Sequence, residues 1–223
     1  MINAYSEVIE KMKAENRMLD SFYYEFLDFI KGKDDFQTSR NKYHDDYTNY
    51  INKEKMPELL GKYGYDINYE YYRIDVVGWQ QRKDNKIQDI CSKVKMKPYL
   101  WSLEIAFEHE NKINDWYDEV IKLLFVNCPV RVVVGYNKYS KRFDEKSNEI
   151  DTNKLKTLCK IIDILNNKEE LLKNQILIIL GNGGTSMEDK KYEKNEGENY
   201  FGYIGYILYL DKGSTNYRII QTD

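Results

Sequence analysis

The sequence predicts an α/β protein: a central mixed sheet flanked by helices, with a helical N-terminal portion and a C-terminal hairpin. Three observations carry that prediction. Residues 3–31 place apolar side chains at helical spacing. From residue 100 onward, strand-like apolar runs alternate with helical patterns, which makes part of the sheet parallel with helical crossovers. The chain then closes on two strand-like runs separated by a turn.

The first helix is read from Tyr5, Val8, Ile9, Met12, Leu19, Phe22, Tyr23, Phe26, Leu27 and Ile30, with Gly32 as its stop. Tyr43, Tyr47, Tyr50 and Ile51 predict a second helix, and Pro57 opens a short third one, PELLGKYG. Strands are expected at 70–79, 100–109, 130–136 and 175–180, with helices at about 112–127 and 151–173. Gly181-Asn182-Gly183-Gly184 follows a strand but lacks the lysine and hydroxyl residue of a P-loop, and reads as a tight turn. Residues 185–199 form a polar, highly charged loop. The terminal hairpin pairs 200–210 with 217–220 across Asp211–Asn216. No repeat or linker divides the chain, so one domain is expected over 1–223, with 1–69 helical, 70–180 the core and 181–223 the loop and hairpin.

Composition narrows the function classes. No apolar run approaches the eighteen or so residues of a membrane span, and MINAYSEVIEKMKAEN is acidic where a secretory leader is basic, so a cytoplasmic protein without a membrane partner is expected. Cys91, Cys128 and Cys159 are odd in number and widely spaced, and only His44 and His109 accompany them; neither a disulfide framework nor a zinc site is supported. A net charge of −3 excludes indiscriminate coating of nucleic acid but leaves local basic surfaces open. Lys93, Lys95 and Lys97 alternate along CSKVKMKPYL, and Lys138, Lys141 and Arg142 cluster in NKYSKRF. Each run reads either as a phosphate-tracking surface or as a solvated, lysine-protected edge.

The chemistry-bearing stretch is WSLEIAFEHE, 101–110. Strand alternation puts Ser102, Glu104, Ala106, Glu108 and Glu110 on one face and Trp101, Leu103, Ile105, Phe107 and His109 on the other. Two carboxylates at next-but-one spacing, roughly 6.7 Å, repel by about 2.5 kcal/mol at an effective dielectric near 20. Solvent at a sheet edge would relieve this, and so would a divalent cation such as magnesium. Glu104 is roughly 13 Å from Glu108 along the strand, too far to share its ion. Asp75 stands in the strand-like run YYRIDVVGW, where aspartate is disfavoured without a partner. Either Arg73 pairs with it at next-but-one spacing, or Asp75 meets Glu108 and Glu110 across neighbouring strands. His109, on the apolar face, reads as a core histidine.

An Asp on one strand, then a strand bearing Glu-x-Glu, a helix and a further strand, all behind an N-terminal helix, resembles the PD-(D/E)XK nuclease superfamily of restriction-endonuclease-like fold. The element order covers residues 1–180 and the motif 71–111. The resemblance implies a magnesium- or manganese-dependent nuclease that hydrolyses phosphodiester bonds, an endonuclease acting on DNA or RNA in restriction or phage defence, with a homodimer left open. It implies Asp75, Glu108 and Glu110 as metal-binding and catalytic residues. Glu110 occupies the position usually held by lysine; Lys122, in DWYDEVIKLL, could return an ammonium group from the next helix, or pair with Glu119 on the helix surface. The competing implication is a nuclease-fold module that binds nucleic acid or protein without cleaving it.

Overall fold

The computed structural model describes residues 18–29, 44–81, 84–97, 100–112, 115–137, 145–169, 175–182 and 203–220. Helix α1 spans 18–29. Helix α2 (His44–Asn49) runs without a break into a π-helical turn, Tyr50–Lys55, and then α3 (Met56–Lys62), which carries Pro57 just after the π-helical turn. A hairpin follows, β1 (Asp66–Tyr71) and β2 (Ile74–Gln81), then α4 (Asn85–Lys93), β3 (Trp101–His109), α5 (Trp116–Leu124), β4 (Val130–Asn137), α6 (Glu145–Glu169), β5 (Ile176–Asn182) and the hairpin β6 (Tyr203–Asp211) and β7 (Ser214–Ile219).

These strands form one seven-stranded mixed sheet in which spatial order equals chain order. β1–β2–β3 and β5–β6–β7 are antiparallel meanders, while β3–β4–β5 are parallel, joined by the α5 and α6 crossovers. Both faces are covered, so the central strands read as near-continuous apolar runs such as VRVVV and ILIIL. One face packs α1, the π-helical turn and α3 through Phe22, Phe26, Ile51 and Leu60 against Val76, Phe107, Val132 and Ile179. The other packs α5 and α6 through Trp116, Val120, Leu158 and Ile162 against Val77, Ala106, Val133 and Ile178. Gly135 lets α5 approach closely: a β-carbon there would overlap the Trp116 side chain.

The sheet, the crossovers and the covering helices answer the α/β expectation, and several elements differ from it. β1 and α4 are additional. The first strand expected at 70–79 is a hairpin whose turn falls at Tyr72-Arg73, and the terminal hairpin turns tightly at Lys212-Gly213 rather than across six residues. β3 lies between β2 and β4, so its acidic face is not a wet edge. Lys93, Lys95 and Lys97 do not alternate on an extended chain, because Lys93 ends α4 and Lys95 sits at φ 56 beyond it; all three are exposed. The outer parts of the helix expected at 3–31, the loop 185–199, and Lys138, Lys141 and Arg142 lie outside the described residues. Among the described residues, no helix is long and apolar enough to cross a membrane.

Candidate active site

At one end of the sheet three carboxylates stand level on adjacent strands. The β2–β3 register pairs Val76 with Phe107, and one residue further sets Asp75 opposite Glu108. The β1–β2 register brackets the next pair between Tyr69↔Val76 and Tyr71↔Ile74, which sets Glu70 opposite Asp75. Glu70 holds φ 53, a left-handed conformation unusual for a non-glycine residue. This is also the end where the parallel strands β3 and β4 terminate, the side of an α/β sheet that ordinarily carries ligands. Like charges directly opposite on a sheet are destabilising, so a neutralising group is required.

Lys122 supplies one. Its Nζ lies 2.7 Å from Glu108 Oε1, donates to the Arg73 carbonyl at 2.9 Å and contacts Glu119 one turn earlier on α5. Glu108 is 2 % exposed and Lys122 34 %, so the pair spans the boundary between core and solvent. The helix presenting Lys122 is held by buried Trp116 and Val120, and buried Arg131 of β4 donates to the Leu123 carbonyl at 3.3 Å near its C-terminus, where a cation is favoured.

Burial pushes the Glu108 carboxyl up to about 8, with Asp75 adding to the rise and the Lys122 hydrogen bond opposing it. Asp75 is also raised, first by burial and then by Glu70, against hydrogen bonds from the His109 N–H at 2.8 Å and the Asn52 side chain. Burial works to lower Lys122, but its bonds to Glu108 and Glu119 prevail and raise it.

Asn52 comes from the π-helical turn, a distortion often found at functional sites. It is 7 % exposed, and its Oδ1 has no hydrogen-bond partner among the described residues. His109 is buried on the opposite face, its Nε2 sharing a 2.8 Å hydrogen bond with Tyr136 Oη in a chain that continues through Tyr203 to Tyr47.

The structure therefore brings together Asp75, Glu108 and Lys122. It does not bring Glu110 to them: β3 ends at His109, and Glu110 accepts from the Lys112 N–H at 2.6 Å on the exposed side. The expected cage of Asp75, Glu108 and Glu110 is corrected accordingly, and among the described residues no group of three or more His, Cys, Asp or Glu side chains is arranged to hold a metal ion. Arg73 does not share the face of Asp75, because it belongs to the turn before β2, at φ 63. Asn52 and Glu70 escape sequence reasoning. Glu70 is legible only through the register of β1, which the sequence does not announce, and an asparagine within a helical stretch carries no signal.

Comparison of the chain with family models, with curated proteins and with solved structures returned no match.

Proposed function

We propose that the chain is a divalent-cation-dependent nuclease of restriction-endonuclease-like type, hydrolysing phosphodiester bonds in DNA. The observation that carries this reading is the pairing of half-buried Asp75 with buried Glu108, level on adjacent strands, with the Lys122 ammonium 2.7 Å from Glu108. A packed sheet has no need of two facing carboxylates. Their side chains fit magnesium or manganese, which takes oxygen donors and needs only one or two carboxylates when phosphate and water complete its shell. The unpartnered Oδ1 of Asn52, whose side chain also bonds Asp75, is a further oxygen beside them.

Asp75 and Glu108 would hold the cation, which supplies a polarised phosphate oxygen and a more acidic bound water. The His109 N–H and Asn52 fix the Asp75 carboxylate, as outer partners of a ligand do. Lys122, oriented by Glu119 and the Arg73 carbonyl, meets negative charge as it develops on the phosphoryl group. Glu110, half-buried just past the end of β3, is not assigned the water.

The Lys122–Glu108 ion pair also favours a second reading, in which Lys122 permanently neutralises the site and the domain binds nucleic acid or protein without cutting. Cleavage decides between them. Purified protein with magnesium or manganese is expected to cut DNA slowly, with Asp75→Ala and Glu108→Ala losing the activity while remaining folded. Equal cleavage by wild type and both variants, across several DNA forms, would assign the activity to a contaminant. No cleavage by any of them, with DNA still bound, would select the binding module.

A further inference from the structure

We infer that the β1–β2 turn, Tyr72-Arg73, is a nucleotide-binding element that stacks an unpaired base beside the candidate site; the substrate class it points to is single-stranded or locally unpaired nucleic acid. This rests on the nuclease reading and names its substrate.

Tyr72 is 83 % exposed, the most exposed large apolar side chain among the described residues, and stands edge-on to Tyr71 with ring centroids 4.7 Å apart. Tyr71 in turn meets Trp79 at 5.0 Å, again edge-on. The T-shaped contacts brace Tyr71 from two sides, and the exposure of Tyr72 leaves aromatic surface to the solvent. Every nucleobase has a flat face that can stack on such a ring, whereas in a duplex that face is already used by its neighbours. The exposed Arg73 beside Tyr72 adds a guanidinium suited to a phosphate or to a base plane.

The backbone of this turn argues that its residues are not there for folding. Tyr72 and Arg73 both adopt positive φ, 51 and 63. A two-residue hairpin with both central residues left-handed strongly prefers Asn-Gly or Asp-Gly. The same chain turns its other hairpin with Lys212-Gly213, using glycine for one of the two positions. At the candidate site it places two bulky side chains in the strained conformation instead. Strain of this kind persists where the surrounding structure holds it, and it concentrates at binding sites.

Position completes the argument. The Arg73 carbonyl accepts from Lys122 Nζ at 2.9 Å, and the same ammonium is 2.7 Å from Glu108 Oε1. The turn is thus latched to the pair that faces the scissile phosphate in the proposed reaction, within reach of the adjoining nucleotide.

The test is equilibrium binding of fluorescein-labelled oligothymidylate, and of a duplex of the same length, in chelator without divalent ions. Wild type, Tyr72→Ala, Tyr72→Phe and the double variant Tyr72→Asn, Arg73→Gly are compared, with circular dichroism checking the fold. Wild type should bind the single strand more tightly than the duplex. Tyr72→Ala should weaken single-strand binding at least about fivefold, the low end for loss of one stacked base, while Tyr72→Phe keeps it and duplex binding barely changes. The double variant should melt at higher temperature yet bind the single strand less tightly, because it relaxes the turn and removes the ring. Single-strand binding that ignores Tyr72→Ala, or an equal loss in Tyr72→Phe, would overturn the stacking role and leave the nuclease reading intact. Tyr72-dependent binding without cleavage would uphold the turn and sink the hydrolysis. No binding of either probe by wild type would overturn the stacking role.

Discussion

Lys122 Nζ and Glu108 Oε1 meet at 2.7 Å although they arise on different elements, one on the helix after β3 and the other in β3 itself. The contact joins the crossover helix to the end of the sheet, and once the nearly buried Glu108 carboxyl ionises, near pH 8, Lys122 neutralises it. Lys122→Met keeps most of the apolar stem and deletes the charge. It should destabilise the protein at pH 8, by less than the ~3–5 kcal/mol of a fully buried pair because Lys122 is partly solvated. Urea unfolding at pH 8 measures this; an unchanged midpoint would mean that Glu108 is satisfied without Lys122.

The same carboxylate sets a pH dependence with a defined sign. Burial raises Glu108 from 4.5 to about 8, so between those values the folded protein holds a proton that the unfolded chain has released. The stabilisation from this proton is complete below about pH 4.5 and is lost as pH rises to about 8; the raised Asp75 acts in the same direction. Glu108→Gln cannot titrate. The wild-type melting temperature should therefore fall relative to that of Glu108→Gln as pH is raised through this window, in metal-free buffer. A constant or growing wild-type advantage toward pH 8 would show a Glu108 carboxyl that is ionised throughout.

Much of this arrangement was legible in the sequence, for identifiable reasons. Asp75 stood out because aspartate is disfavoured in a strand without a partner, and Glu108 because alternation gave it a face shared with other carboxylates. Lys122 came from the family resemblance, which allows the cleft's ammonium to come from the helix after the acidic strand. What was lost depended on register and on breaks in periodicity. Strand alternation gives Glu110 the face of Glu108 only if the strand continues, and β3 stops at His109. Asn52 is turned toward Asp75 by a π-helical turn, which helical periodicity does not foresee. Helix α4 was hidden by its mostly exposed, mixed surface, although Asp84 caps it through the Lys86 and Ile87 N–H groups.

Magnesium should stabilise the folded protein by mass action, raising the melting temperature by an amount that grows with ion concentration. Because the ion competes with a proton on Glu108, the rise should be larger at pH 8.5 than at pH 6. Asp75→Ala should abolish it. A thermal shift of equal size in wild type and Asp75→Ala would place the ion elsewhere on the molecule.

The most direct measurement counts manganese ions by electron paramagnetic resonance of the free ion, at pH 8 and without nucleic acid, in wild type, Asp75→Asn and Glu108→Gln. If Asp75 and Glu108 hold a catalytic cation, wild type should bind at least one manganese ion per chain that magnesium displaces, and each variant should lose or greatly weaken that site. No bound manganese in wild type, or the same affinity in Asp75→Asn and Glu108→Gln, would contradict it and leave Lys122 as the cation these carboxylates were built for.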